Sequence, residues 1–196
     1  MTDELIDIYD ENLNPMGTAL KSVAHRNKLW HCVFFCWIVR GNNVLFQRRA
    51  LMKESHPGKL DISAAGHLQA GETETDGVRE VREELGLTPN LRDLIKLETD
   101  KWTHSAEFCH TYLMKFNGNL TDLVLQREEV SAVFEIDIDA AIALFDGRVR
   151  SIRANGVECD ENGLNSSVSR TLSLSDFVAH KGNYFLRILK KIKTFL

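Results

Sequence analysis

Residues 30–39 read Trp-His-Cys-Val-Phe-Phe-Cys-Trp-Ile-Val, so apolar side chains fill both alternating sets of positions. Successive side chains of a strand point to opposite faces. A strand that is apolar on both faces needs a covering layer on each side of its sheet. The run Leu29 to Val39 is the longest strongly apolar stretch, well short of the ~20 residues of a membrane-spanning helix. It is therefore read as a central strand of an α/β sandwich.

The segments around it supply the rest of such a sandwich. Leu5 to Tyr9 precedes a turn-like Asn12-Leu-Asn-Pro-Met-Gly17, and Gly41-Asn42-Asn43 leads into a hairpin strand, Val44 to Arg49. A strand is expected near Leu60 to Ala65, and a helix from Thr75 or Asp76, either of them its N-cap, to Gly86. Leu91 to Leu97, Glu107 to Phe116 and Val130 to Ile138 read as strands, with Asn117-Gly118 as a hairpin signal. Asp139 to Phe145 reads as a short helix, residues 147–172 as an irregular segment with an added hairpin, and Ser175 to Leu196 as helical.

At 196 residues the chain suits one domain. Acidic residues exceed Lys and Arg by 28 − 24 = 4, which excludes a generic polybasic binder of nucleic acid polymers or membranes. The acidic start, Met1-Thr-Asp-Glu, is unlike a secretory leader and points to a cytoplasmic protein. Cys32 and Cys36 on one strand would sit about 13 Å apart, beyond disulfide reach, so reduced cysteines are expected.

The chemistry is concentrated in residues 66–87. On a helical wheel with Glu80 at zero, Glu83 falls at about 300° and Glu84 at about 40°. Val78, Val81 and Leu85 occupy the other side, between roughly 100° and 160°. Three carboxylates thus share one arc. Like charges three and four residues apart repel, and Glu83 and Glu84 lie at the negative end of the helix dipole. Two broken local rules imply an outside source of positive charge. Clustered carboxylate oxygens suit the hard cations Mg²⁺ or Mn²⁺, which are commonly shared with substrate phosphates. Arg48 and Arg49 end an apolar strand, where a guanidinium fork could grip a phosphate.

Gly66, then Glu72, then Arg79-Glu80-Val-Arg-Glu83-Glu84-Leu-Gly86-Leu resemble the Nudix box, in which Gly and the first Glu precede Arg-Glu-U-x-Glu-Glu-x-Gly-U, with U aliphatic. Six residues, Thr73 to Val78, separate Glu72 from Arg79, where the box has seven. The shortening precedes the helix proper, so the relative geometry of Glu80, Glu83 and Glu84 is expected to survive. Glu72 is the box position it leaves open. Asp7-Ile-Tyr-Asp-Glu-Asn12, Trp30-His31, Asp61 to His67, Glu107 to Tyr112 and Glu128-Glu129-Val130 extend the resemblance to the Nudix branch related to isopentenyl-diphosphate isomerase.

The resemblance implies an α/β/α sandwich around a mixed sheet, here with an additional C-terminal helix. It places a single domain over residues 1–196, with a core at about 28–146 and an extension at 147–196. It implies a metal-dependent hydrolase of a small-molecule diphosphate, with Gly66, Glu80, Glu83 and Glu84 on the metal. Glu83, Glu84, Glu128 and Glu129 are the candidate catalytic carboxylates, and Arg48, Arg49 and His67 the candidate substrate contacts. A second copy of the chain is the protein partner left open. The isomerase is the alternative activity. It uses a cysteine directly before the Gly-His pair, where this chain has Ala65, and histidine metal ligands to which His25, His31 and His67 are loosely similar in placement. A non-catalytic ligand-binding module of the same shape is the third reading.

Overall fold

A computed structural model describes residues 3–160 and 162–196. Met1 and Thr2, with which the acidic amino-terminal segment begins, and Glu161 lie outside the described residues. In chain order the elements are β1 (Leu5–Tyr9), β2 (Pro15–Leu20), α1 (Lys21–Asn27), β3 (Trp30–Arg40), β4 (Asn43–Arg49), β5 (Leu60–Asp61) and β6 (Ala64–His67). Then follow α2 (Arg79–Leu85), β7 (Ile95–Trp102), β8 (Glu107–Lys115), β9 (Val130–Asp137), α3 (Ile138–Phe145), β10 (Ser151–Cys159), β11 (Asn165–Ser173) and α4 (Tyr184–Lys193).

The expected central strand is β3. Strand β8 runs parallel along it from His31↔Glu107 to Val39↔Lys115. Its other pairings, with β1, β6 and β4, are antiparallel, so the sheet is mixed. Val33, Phe35, Trp37 and Val39 pack into a core shared with α3 and α4, including Ile142, Tyr184 and Ile188. Cys32, Phe34, Cys36 and Ile38 pack into a second core with Val81 and Leu85 of α2. Both faces of β3 are covered, as its composition requires, and the architecture is an α/β/α sandwich. Full burial of each large apolar side chain contributes roughly 1.5–3 kcal/mol, which makes β3 the most heavily anchored strand. The four cysteines are free thiols.

Several local expectations gave way to strand pairing. Asn117-Gly118 makes no hairpin, because β8 already has β3 on one edge and β7 on the other. The chain crosses over instead to β9, which pairs with β4 and β10. The strand expected at Leu91 begins at Ile95, since residues 91–93 form a 3-10 turn whose Arg92 amide donates to the Asn90 side chain at 3.0 Å. The strand expected over Leu60 to Ala65 divides between β5, on β4, and β6, on β3. The tail makes 3-10 turns at 174–176 and 181–183 and is α-helical only from Tyr184, because the Val178 amide is engaged with the Leu60 carbonyl at 2.9 Å. Strand β2 and helix α1 were not foreseen. The 147–172 segment is a regular β10–β11 hairpin that extends the same sheet beyond β9.

The shortened box shows how one missing residue is absorbed. Residues 76–78 form a 3-10 turn running directly into α2. Three residues of 3-10 helix rise about 6 Å, as four of α-helix do. Neither expected N-cap acts as one: Thr75 is itself helical and makes no capping bond, and Asp76 turns back to accept from the Thr73 amide at 2.7 Å. The tighter turn presses Gly77 onto Phe34, where an added Cβ would lie 2.4 Å from the Phe34 Cβ. Gly77→Ala should therefore destabilise the protein by about 1–3 kcal/mol. Equilibrium urea unfolding measures this, and an unchanged midpoint would contradict the close packing.

Candidate active site

Helix α2 buries Val81 and Leu85 and carries its carboxylates at three different depths. Glu84 is 4% exposed. It accepts from Gln47 Nε2 at 3.1 Å and from the Ala65 amide at 3.0 Å, which ties the helix to β4 and β6. Burial, reinforced by Glu80, holds its carboxyl well above the ordinary value. Glu80 is nearly buried, and burial pushes it up to about 7, with Arg79 opposing and Glu83 adding to the shift. The Glu83 side chain is about half exposed.

Part of the positive charge the helix requires comes from its own first residue. Arg79 donates to Glu80 at 2.6 Å, to Glu83 at 3.2 Å and to the His67 carbonyl at 2.9 Å. It also grips both oxygens of Glu72, at 2.7 and 3.2 Å. Glu72, left open by the shortened spacing, is thus paired with Arg79, and its second oxygen also accepts from the Gln69 amide. Gly66 closes the site from the sheet side. A Cβ there would fall 2.1 Å from the Glu80 carboxyl carbon, so the carboxylate occupies the space that any side chain would need.

The remaining candidates sit around this centre. Glu129 pairs with Lys53, and both lie close enough to Glu84 to act on its protonation. Glu128 is exposed. Arg48 is held by Ser131 and Glu158, while Arg49 donates to Ser55 and lies 3.7 Å from Asp61. Neither arginine contacts the α2 carboxylates. The N-terminal hairpin borders the loop before α2, where the Gly71 amide donates to Asp7 at 2.8 Å and the Ala70 amide to the Leu5 carbonyl.

A second group of ligating side chains lies across β6. Gly66 faces Glu80, so the next residue, His67, faces the opposite side of the sheet. There His67 meets His25, Nε2 to Nε2 at 2.9 Å, and His31 and Glu107 complete a set whose ligand atoms all lie within 4.8 Å of one another. His31 is fully buried. Its Nδ1 is 2.7 Å from the Leu29 carbonyl, which requires a proton on Nδ1. Its Nε2 has no hydrogen-bond partner among the described residues. Imidazole nitrogens with one carboxylate would hold a borderline ion such as Co²⁺ or Zn²⁺. Sequence reasoning had the three histidines only through their likeness to the isomerase ligands. Glu107 joins them through the His31↔Glu107 register of two strands distant in sequence. A Co²⁺ titration should show one equivalent with a visible ligand-field band that His31→Asn abolishes and Glu83→Gln retains. A spectrum indifferent to His31→Asn would remove this site.

Comparison with known proteins gives a consistent result. A NUDIX-domain family model matches residues 30–154. An uncharacterized Nudix hydrolase of Clostridium acetobutylicum is 32% identical over 202 aligned positions, spanning 98% of each chain. The isopentenyl-diphosphate Delta-isomerase of Salmonella enteritidis is 39% identical over 90 residues, which is 44% of this chain and 50% of that enzyme, so the match spans half the isomerase's length. Among solved structures, DR0079 from Deinococcus radiodurans superposes with a TM-score of 0.61 at 20% identity, covering 74% of this chain and 90% of that one. A MutT/nudix family protein from Enterococcus faecalis gives 0.52 at 11% identity, covering 84% and 61%. At such identities the two structures bear on the fold.

Proposed function

This chain belongs to the Nudix hydrolase family, and we propose that it cleaves the diphosphate linkage of a nucleoside diphosphate-linked or similar organic diphosphate by attack of water at phosphorus. The observation that carries this reading is the close set of Glu80, Glu83 and Glu84, with the Gly66 backbone shut onto Glu80. Nudix hydrolases generally use divalent metal ions. The Glu80 and Glu84 carboxyls, with the half-exposed Glu83 and a charge that Arg79 opposes only in part, fit a hard cation, Mg²⁺ or Mn²⁺, with the Gly66 carbonyl as a further candidate ligand. When bound there, such an ion draws charge from the phosphoryl oxygens and lowers the pKa of the attacking water.

The chain's own residues do the positioning. Gln47 and the Ala65 amide hold Glu84 in one orientation, and Arg79 fixes Glu80 against Glu72. Glu129, next to Glu84 and steadied by Lys53, is our candidate to take the water's proton. Glu83 and Glu84 are the other candidates for that role. Arg49 is the arginine we favour for the substrate phosphates, because its hydrogen bonds go to Ser55 in an exposed loop and its contact with Asp61 is a looser 3.7 Å.

The histidine cluster is the observation that speaks for an isomerase-like site. Ala65, however, offers neither a thiol nor any other group to move a proton, so hydrolysis stands first. Retention of every box carboxylate separates the chain from a non-catalytic module. No helix among the described residues is long and apolar enough to cross a membrane, and free thiols support the cytoplasmic reading.

A phosphate-release screen over nucleotide sugars, dinucleotides, nucleoside di- and triphosphates and isoprenoid diphosphates tests the activity. Mg²⁺ or Mn²⁺ should activate it and EDTA abolish it. Undiminished turnover in excess EDTA would overturn the proposal.

Glu83→Gln should lower turnover by about 10²-fold or more. Metal-free stability should move by less than about 0.5 kcal/mol, because relief of like-charge repulsion offsets loss of the half-exposed Arg79 contact. Parental turnover in this variant would return the carboxylates to a solvated helix face.

A further inference from the structure

On the same sheet face as α2, beyond β4, lies a cavity of about 290 Å³. Ser131 and Cys159, both half-buried, line it together with the exposed Leu51, Met52, Arg127 and Glu128. Val133 and Val157, two positions along the same strands, pack into the core that holds Val81 and Leu85 of α2. Cys159, two residues from Val157, packs against that same core, whereas Ser131 is the extra residue of a bulge in β9. The Cys159 wall thus places the cavity on the side of the sheet that carries the box carboxylates.

Its distance from those carboxylates follows from the register. Gln47, which touches Glu84, is paired with Val133, and Gln47's own strand is separated from β10 only by β9. With strands about 4.8 Å apart and ~3.3 Å per residue, Ser131 and Cys159 lie roughly 8–12 Å from Gln47. That is the span between a diphosphate and the group it carries across one sugar ring. The volume falls just below the ~300–1,000 Å³ of small-molecule pockets, enough for a single ring system.

The chemistry of the lining selects among such groups. Leu51 and Met52 are 82% and 69% exposed and offer apolar surface for the face of a ring. The Arg127 guanidinium stacks on π systems. Glu128, with no partner for its carboxylate among the described residues, accepts hydrogen bonds and donates none. An isoprenoid tail would desolvate Arg127 and Glu128 without compensation, while Ser131 is already satisfied by Arg48. A base with a carbonyl where Glu128 needs a donor would set two acceptors against each other.

We propose that this hollow is the base subsite of the enzyme. Met52 and Arg127 hold the ring, and Glu128 selects a nucleobase bearing an exocyclic amino group over its oxo counterpart. The proposal rests on the hydrolase reading for the diphosphate and adds the position and selectivity of the base. It also gives the β10–β11 hairpin a role. Cys159 closes one side of the hollow, and Asn165 Nδ2 donates to the Leu123 carbonyl at 2.6 Å, tying the hairpin to the segment that leads to Arg127 and Glu128.

The test is calorimetric titration of the full chain, with Mg²⁺, using the α,β-methylene diphosphates of adenosine and inosine and of cytidine and uridine, none of which is turned over. The amino member of at least one pair should bind about tenfold more tightly than its oxo partner. Glu128→Gln should bring that ratio close to one, since the amide also donates. Met52→Ala should weaken both members severalfold and leave the ratio unchanged. Equal binding of both members of each pair by the parent, absence of nucleotide binding, or a ratio that survives Glu128→Gln would each overturn the subsite. Phosphate release from cleavable substrates is measured separately, so failure of the base subsite and failure of the hydrolase reading give different results.

Discussion

The parallel pairing of β3 with β8 is the constraint on which the rest of the molecule depends. It fills one edge of the most buried strand over nine consecutive residue pairs. The other edge is left to be shared by β1, β6 and β4 in turn. That sharing brings the Gly66 backbone alongside Phe34 and sets His67 opposite Val33, so both groups of ligating side chains take their position from the edge of one strand. A parallel ladder needs a long connection between its strands. The connection here contains the whole of the box, α2 included, and α2 is the layer that covers one face of β3.

The box helix resolves its electrostatic conflict in two stages. Arg79 at its start contacts Glu72, Glu80 and Glu83 and shares one positive charge among them, so the carboxylate arc is partly compensated by the chain itself. Glu84, facing the sheet, is satisfied by hydrogen bonds from Gln47 and the Ala65 amide and by no cation in direct contact among the described residues. A buried, hydrogen-bonded but unneutralised carboxylate costs stability. A cation held there, as proposed, would offset that cost. The loop before α2 lacks one residue without disturbing this arrangement, because the 3-10 turn at 76–78 makes up the length and Gly77 accepts the closer approach to Phe34.

The histidine set shows the opposite situation. His25 comes from α1, His31 from β3, His67 from β6 and Glu107 from β8. No local pattern links them. A lone histidine in a sequence is most often a hydrogen-bonding residue, and only the register of β3 against β8 and β6, with α1 packed beside it, joins three histidines and Glu107 into one cluster with an unpartnered buried nitrogen.

The sequence by itself determined the central strand, the carboxylate arc of the helix and the end of that helix at Gly86. Alternation, helical spacing and a left-handed glycine stop are all written within a dozen neighbouring residues. Tertiary structure alone decided that Asn117-Gly118 would turn no hairpin, that Phe177 would pair with Leu60 rather than join a helix, and that Arg48 would be held by Glu158, away from the carboxylates. It also separated the three box glutamates into buried, nearly buried and half-exposed. Each of these outcomes depends on which strand edges are already occupied and on what packs across the sheet. Such choices are made between segments far apart in the chain, where short-range periodicity carries no information.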